Sequence, residues 1–239
     1  QGRVHQSFFT LIPFAHKIIS PLRLLSPLAF RSFDFSQYDI IITSATGAYF
    51  PNSLRKKNAK LICYCHTPPR YLYGLPTARK FTQNKIVKFF VDIINHFLRL
   101  KDFKYSQNVD QYIANSKTTA TRIQKFYRRD AIIINPPVDL PKSFIPESKI
   151  MNHESYFLTG GRLARAKRFD IAIQACNQLN LNLKIFGRDF SNTLESLKNI
   201  SGPTIEFVGE VNQVEKAKLY QNARSFIFSA DQEDFGIVP

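Results

Sequence analysis

The sequence predicts an α/β fold composed of two doubly wound domains. Eight short apolar segments alternate with helical patterns along the 239 residues, and this alternation is typical of parallel sheets. Several of the segments are uninterrupted apolar runs, which is the pattern of strands buried on both faces of such a sheet. A proline-rich stretch divides the series, so we expect one domain on each side of it.

Four of the predicted strands precede the proline-rich stretch and four follow it. They cover residues 38–43, 60–65, 111–115 and 131–135, then 155–161, 181–187, 203–209 and 224–230. Ligands of open α/β sheets collect beyond the carboxyl ends of the strands. The residues that follow each strand are therefore the candidates for a functional site.

Four segments have the periodicity of helices: residues 84–101, 116–128, 168–179 and 212–223. The second has Ser116 at a plausible N-cap, and the fourth has Asn212 and Glu215 at the spacing of a capping box.

The helix at 84–101 is amphipathic. Its apolar residues recur at i, i+3 and i+4 from Ile86 to Leu98, and Lys85, Lys88 and Arg99 lie on the opposite face. Burial of the apolar stripe in the core is the favoured interpretation. The alternative is that this helix contributes to a membrane-associating surface.

The proline-rich stretch, residues 135–155, carries four prolines and no clear periodicity. We expect an N-terminal Rossmann-like domain over residues 1–145 and a C-terminal one over residues 146–239. Charge is divided the same way: residues 1–150 carry 23 basic and 8 acidic residues, and residues 151–239 carry 10 of each. The entire excess of +15 lies in the first part, which favours nucleic acid, an anionic membrane surface or a phosphorylated substrate as a partner.

Three cysteines, Cys63, Cys65 and Cys176, fit neither a disulfide framework nor a zinc site with paired ligands. We expect them to be reduced and buried, as in a cytosolic protein. No apolar run reaches 18 residues, so no membrane span is expected.

His66 follows the strand at 60–65 and begins the stiff turn HTPPR, with Arg70 and Tyr71 behind it. A histidine presented at a strand end is a reasonable catalytic or substrate-binding group. A structural histidine satisfied by the backbone is the alternative.

The segment GRLARAKRFD (161–170) follows the strand at 155–161. Gly161 permits a ligand to approach the backbone closely. Arg162 and Lys167 flank a loop that leads into a helix, and two cations beside a helix N-terminus suit a pyrophosphate. A solvated basic loop is the alternative. Gly187 and Gly209 end the next two strands, where a nucleobase has room to lie or where the chain simply turns.

The last segment, SADQEDFGIVP (229–239), places acidic residues beside a glycine. The carboxylate of Glu233 is able to accept hydrogen bonds from sugar hydroxyls, and the amides around Gly236 to donate to phosphate. In isolation, an acidic loop is the more ordinary interpretation.

The order of these segments resembles the retaining glycosyltransferases of family 4. The resemblance rests on CYCHTPPRYLY (63–73), YIANSKTTATRIQKFY (112–127), IINPPVDL (133–140), GRLARAKRFDIAIQA (161–175), FVGEV (207–211) and SADQEDFGIVP, and it covers residue 38 to the end. The family has the GT-B fold, two Rossmann-like domains facing a cleft. Bacterial mannosyltransferases of O-antigen and exopolysaccharide assembly share the stretch around His66.

The resemblance implies a role for each candidate residue. Arg162 and Lys167 match the pair that binds the donor diphosphate. Glu233 matches the first glutamate of the E-x7-E motif, which contacts the donor sugar. The remaining donor-side positions are Gly161, Gly187, Gly209, Phe235, Gly236 and Ile237.

On the acceptor side, His66 matches the active-site histidine near the transferred sugar, so His66 and Glu233 are the expected catalytic pair. Ser116 matches the N-S element at a helix start near the cleft. Arg70 and Tyr71 complete the acceptor side.

Two parts of the family pattern are absent from the sequence. The second glutamate of the E-x7-E motif falls at position 241, and the first strand with its Gly-rich loop falls before residue 1. We therefore expect both domains to be truncated, in a fragment that itself lacks activity.

The resemblance also implies the partners. The donor is expected to be GDP-mannose or a UDP-sugar, bound without a metal or other cofactor because no D-x-D motif is present. The acceptor is expected to be lipid-linked or a saccharide, and the basic domain is expected to associate with the inner face of the plasma membrane from the cytoplasm. A GT-B sugar-nucleotide epimerase and a basic nucleic-acid-binding protein are the alternatives, although no known nucleic-acid motif appears.

Overall fold

A computed structural model describes residues 4–14, 23–77, 84–137, 156–190 and 192–236. These residues form two compact units, one built from residues 4–75 and 84–137 and the other from residues 76–77, 156–190 and 192–236. The predicted boundary at 145–146 lies outside the described residues.

The sheet of the first unit has four parallel strands in the order β1-β2-β3-β4. They are β1 (Ile40–Thr46), β2 (Lys60–Thr67), β3 (Gln111–Ala114) and β4 (Ala131–Ile133). Ile40 lies opposite Lys60, and Ile62 lies opposite Gln111. All four carboxyl ends therefore meet at one edge of the sheet.

Three α-helices of this unit are described: α1 (Ser26–Ser32), α2 (Lys85–Ser106) and α3 (Lys117–Tyr127). Short 3-10 helices cover Phe8–Leu11, Arg23–Leu25, Gly47–Tyr49 and Pro51–Ser53. The side chain of Asn84 caps α2 by accepting from the N–H groups of Ile86 and Val87.

Burial in the first unit is one-sided. Leu61, Cys63 and Cys65 alternate along β2 with half-buried neighbours, and the buried set packs against Ile123 of α3. The prediction of strands buried on both faces is wrong for the outer strands, since Ile40, Ile42, Ile132 and Ile133 are exposed. Helix α3 contacts β2, β3 and β4.

The second unit repeats the parallel arrangement in the order β7-β6-β5-β8. Its strands are β5 (Tyr156–Gly160), β6 (Asn182–Phe186), β7 (Ile205–Gly209) and β8 (Ser225–Phe226). Its helices are α4 (Phe169–Gln178), α5 (Leu194–Lys198) and α6 (Gln213–Asn222), with a 3-10 helix at Arg165–Lys167. Leu163, Phe169, Ile173, Leu183 and Ile185 form much of its core.

The eight predicted strands and four predicted helices are all present. The capping box of α6 is confirmed: Asn212 accepts from the N–H groups of Val214 and Glu215, and Glu215 accepts from the Asn212 N–H at 2.9 Å. The two short helices α1 and α5 were not predicted.

Helix α2 departs from the favoured interpretation of its apolar stripe. Burial of the stripe is wrong, because its aromatic and aliphatic residues are exposed apart from the half-buried Leu98, and the buried residues of the helix are Asp102 and Ser106. The helix continues beyond the predicted end, and its last turns hold it to the unit. Tyr73 donates to Asp102 Oδ2 at 2.9 Å, and Arg99 donates to the Leu72 carbonyl at 3.4 Å.

The three cysteines are free thiols and buried, as predicted. None of the helices in the described ranges is long and apolar enough to cross a membrane.

Candidate functional site

The loops at the carboxyl edge of the second sheet are joined by backbone hydrogen bonds. The Gly161 N–H donates to the Phe186 carbonyl at 3.0 Å, and the Gly187 N–H donates to the Gly209 carbonyl at 2.7 Å. The ends of β5, β6 and β7 are thereby held together, which brings three predicted donor-side glycines to one edge.

Gly187 is required by the close approach of these loops. Its φ of 134° is unfavourable for residues with a side chain. A Cβ atom added there would lie 1.7 Å from the Gly161 carbonyl oxygen. Only glycine lets the two backbones come this close.

The loop after β5 presents two cations at this edge. Arg162 is exposed, and its Cζ lies 5.3 Å from the centre of the Phe190 ring. It forms no ion pair with any residue that the structure describes. Lys167 ends the 3-10 helix before α4, and its Nζ pairs with the carboxylate of Glu233.

The segment after β8 packs directly on that loop. The Ser229 hydroxyl donates to the Lys167 carbonyl at 3.1 Å, and the Asp231 N–H donates to the Ala166 carbonyl at 3.0 Å. Glu233 is thus positioned by two backbone contacts on its N-terminal side as well as by its ion pair. Phe235 and Gly236 follow in half-buried positions, and Ile237 lies outside the described residues.

An ion pair between Arg168 and Asp170 lies at the beginning of α4. Arg168 has a φ of 52° and donates from Nε to Asp170 Oδ1 at 3.0 Å. This hydrogen bond holds the pKa of Asp170 below its ordinary value. Because Arg168 neutralises the acid in the first turn, the positive end of the helix dipole remains available beside Lys167.

His66 lies at the carboxyl end of β2 in the first unit. Its Nε2 is 3.2 Å from the hydroxyl oxygen of Ser44 on β1, and its ring lies edge-on to Tyr64 with centroids 5.2 Å apart. Its backbone carbonyl accepts from the Thr119 hydroxyl at 3.1 Å. Both the ring and the backbone of His66 are therefore held in place.

Ser116 caps α3 as predicted. Its hydroxyl oxygen accepts from the Thr119 N–H at 3.1 Å and lies 3.3 Å from Thr119 Oγ1. Since Thr119 also holds His66, Ser116 supports the histidine indirectly. Arg70 and Tyr71 are half-buried in the turn after β2, and the Arg70 carbonyl accepts from the Leu75 N–H at 3.0 Å.

The turn after His66 also packs against Gly47. A Cβ atom on Gly47 would lie 2.5 Å from Pro69 Cδ, so the proline packs against a bare backbone. The predicted site residues thus form two sets, one at the carboxyl edge of each sheet.

Several supporting residues were missed by the sequence analysis, chiefly Ser44, Gly47, Thr119, Phe190 and Ser229. Their partners are distant in sequence, for example 22 positions for Ser44 with His66 and 53 for Thr119. No local pattern marks such residues. In the described ranges, no group of three or more His, Cys, Asp or Glu side chains is placed to hold a metal ion.

Comparison with known families identifies the chain. The family model described as "Glycosyltransferase Family 4" matches residues 2–142, which is more than half of the sequence. The chain belongs to glycosyltransferase family 4. The model described as "Glycosyl transferases group 1" matches residues 142–239 of this family 4 chain.

Solved structures show the same fold for the family 4 chain. It matches the lipopolysaccharide outer core galactosyltransferase WaaB in its apo form with a TM-score of 0.54 and 15% identity, over 92% of this chain and 57% of that one. It matches TarM with a TM-score of 0.53 and 13% identity, over 87% of this chain and 40% of that one. The predicted α/β class with two parallel sheets, as in GT-B proteins, is confirmed. The chain spans about half the length of these structures, and no curated protein matches it.

Proposed function

We propose that the protein transfers a hexosyl unit, mannose in the first instance, from a nucleotide-sugar to an acceptor hydroxyl with retention at the anomeric carbon. The observation that carries this proposal is the Lys167–Glu233 pair at the carboxyl edge of the second sheet. A cation suited to phosphate and a carboxylate suited to sugar hydroxyls lie side by side there.

The diphosphate of the donor is assigned to the loop after β5. Cleavage of the glycosyl–phosphate bond leaves negative charge on the departing diphosphate. Arg162, Lys167 and the N-terminus of α4 provide positive charge around one loop, which favours that leaving group electrostatically. Arg162 is exposed and has no carboxylate partner in the described ranges, so it is available to phosphate without breaking an ion pair.

The sugar is assigned to Glu233 and the backbone at Phe235, Gly236 and Ile237. In the absence of donor, Glu233 neutralises Lys167. Donor binding replaces this ion pair with two contacts, diphosphate to Lys167 and sugar hydroxyls to Glu233. One charge-assisted hydrogen bond is lost and two are formed, so neither side chain is left without a partner when the donor is bound.

His66 is proposed to orient the transferred sugar or to stabilise its developing positive charge. The fixed ring supports a positioning role, because Ser44 and Tyr64 restrict its rotation. Arg70, Tyr71 and the start of α3 at Ser116 are proposed to face the acceptor.

The acceptor is proposed to be a lipid-linked pyrophosphate or an oligosaccharide of cell-surface polysaccharide synthesis. The basic first unit is proposed to associate with the anionic inner face of the plasma membrane from the cytoplasm. Each basic residue near such a surface contributes about 1 kcal/mol. Nucleic acid is not proposed as a partner.

A donor screen tests the proposal. GDP-mannose and a series of UDP-sugars are added to the chain and to a form extended at both ends, with EDTA throughout, and the unfolding midpoint is recorded. We expect a sugar nucleotide to raise the midpoint without metal and the extended form to transfer label from it to an acceptor. A midpoint that responds to single-stranded RNA and to no sugar nucleotide would overturn the proposal.

A further inference from the structure

Helix α2 presents a long apolar face to solvent. The exposed fractions are 70% for Ile86, 63% for Phe89, 59% for Phe90, 60% for Phe97 and 55% for Leu100. At 100° per residue these side chains lie within one arc of the helix, about 21 Å long from Ile86 to Leu100. Isolated exposed apolar residues are ordinary, but a contiguous stripe of this size marks an interaction surface.

Basic residues border this stripe. Lys101 lies at the edge of the same arc, and Lys104 continues it one turn beyond Leu100. Lys85, expected on the opposite face, lies beside the arc one residue before Ile86. None of these three lysines forms an ion pair with a described residue. Lys88, in contrast, pairs with Asp92 at 2.6 Å.

A groove extends the apolar surface toward α1. It has a volume of about 280 Å³ and is lined by Leu24, Leu25 and Leu28 on one side and by Leu98, Lys101 and Tyr105 of α2 on the other. The three leucines of the first side are themselves exposed. Arg31, at the same groove, lies with its Cζ 5.3 Å from the centre of the Tyr105 ring. The apolar surface thus spans two elements and again carries cations along its border.

We infer that this face, the α2 stripe with the adjoining groove, docks on an anionic phospholipid bilayer with α2 parallel to the membrane plane. An aromatic and aliphatic face bordered by lysines is the composition of helices that lie at the headgroup boundary. The phenylalanines enter the interface, and Lys85, Lys101 and Lys104 meet anionic headgroups. This inference rests on the proposed function, because it names the surface by which the enzyme reaches a lipid-linked acceptor.

Charge favours a bilayer over a second copy of the chain. In a two-fold dimer built on this face, Lys101 and Lys104 of each protomer would approach the same basic surface of its partner. An anionic bilayer instead complements these lysines, in the part of the sequence, residues 1–150, that carries the basic excess of +15.

The absence of tryptophan from the sequence provides a direct reporter. Phe97→Trp places a single indole on the stripe, and Leu179→Trp places one at a site of the second unit that is 65% exposed. With vesicles of phosphatidylcholine and phosphatidylglycerol, we expect emission of the Phe97→Trp chain to shift to shorter wavelength and that of Leu179→Trp to stay unchanged. The same emission shift in both variants, or no shift in either, would overturn the inference.

Vesicle sedimentation of double variants separates the contribution of the apolar side chains to vesicle binding from that of the lysines. Phe90→Ser with Phe97→Ser should lower partitioning at least about tenfold, and Leu179→Ser with Val214→Ser should leave it unchanged. Lys101→Glu with Lys104→Glu should also lower it at least about tenfold on anionic vesicles, and Lys216→Glu with Lys218→Glu should not.

Two results would contradict the inference: equal binding of the native chain to neutral and anionic vesicles, or a stripe variant that dissociates a dimer without changing vesicle binding. Binding is measured without donor, and transfer is measured separately with a water-soluble acceptor. Absence of transfer by the form extended at both ends, with vesicle binding intact, would count against the proposed function alone.

Discussion

Lys167 and Glu233, which are 66 positions apart in the sequence, form an ion pair at the carboxyl edge of the second sheet. Both side chains are about one-quarter exposed. The pair joins the loop after β5 to the segment after β8, beside the hydrogen bonds from Ser229 and Asp231. The ion pair and the two hydrogen bonds therefore hold these two segments together.

Replacing Glu233 and replacing Lys167 should affect the binding of a nucleoside diphosphate that carries no sugar differently. Glu233→Gln removes the charge that competes for Lys167, so affinity for GDP or UDP should be kept or increased. Lys167→Ala removes a charge-assisted contact, so affinity should fall at least about tenfold. Titration calorimetry measures both. A similar loss in the two variants would show that the pair is structural rather than part of a donor site.

Gly187→Ala should destabilise the second unit more than an ordinary glycine substitution. The new Cβ atom would collide with the Gly161 carbonyl and would also strain a φ of 134°. We expect a loss of roughly 3 kcal/mol or more in the free energy of unfolding. Gly209→Ala is the matched control, since its φ of 88° is strained but no atom lies within 4 Å of the new Cβ. Denaturant unfolding should show a clearly smaller loss for the control.

Asp102 should make the first unit less stable as pH rises. Burial raises the pKa of this carboxyl from 3.8 to about 7, against hydrogen bonds from Tyr73 and Tyr127 that favour the charged form. The folded state keeps the proton over an interval in which the unfolded chain releases it, so stability declines from about pH 4 to pH 7.

Asp102→Asn removes this titration while keeping an acceptor for the Tyr73 hydroxyl. The difference in unfolding free energy between variant and native chain should grow in favour of the variant from about pH 4 to pH 7 and level off above it. Asp92→Asn, at an exposed position on the same helix, is the control. Parallel pH profiles for Asp102→Asn and the native chain would show that Asp102 carries its charge in the folded state.

Much of the fold was predictable because its signals are local. Apolar runs mark the strands, and Ser116 and Asn212 mark the beginnings of α3 and α6 through caps that involve neighbouring residues. The short helices α1 and α5 carry little periodic signal, since seven and five residues complete at most two turns.

The exposed stripe of α2 could not be predicted from periodicity. An apolar face indicates which residues share a surface but not what that surface meets. Here the tertiary contacts of Asp102 and Arg99, on the opposite side of the helix, decide the orientation.

The site was predictable in its residue types and not in its contacts. Arg162 and Lys167 precede α4 in a recognisable pattern, but the exposure of one and the pairing of the other depend on distant segments. The supports of His66 likewise come from Ser44 on β1 and Thr119 on α3, which meet it only in the folded chain.

The most direct test of the donor site compares Arg162→Ala with Arg165→Ala, two exposed arginines of the same loop. Turnover is measured with the preferred nucleotide-sugar, in the form extended at both ends. Because Arg162 is assigned to the departing diphosphate, its loss should lower turnover at least about tenfold, and the loss of Arg165 should have little effect. Unchanged turnover in Arg162→Ala, or equal losses in both variants, would contradict the assignment of this loop to the donor diphosphate.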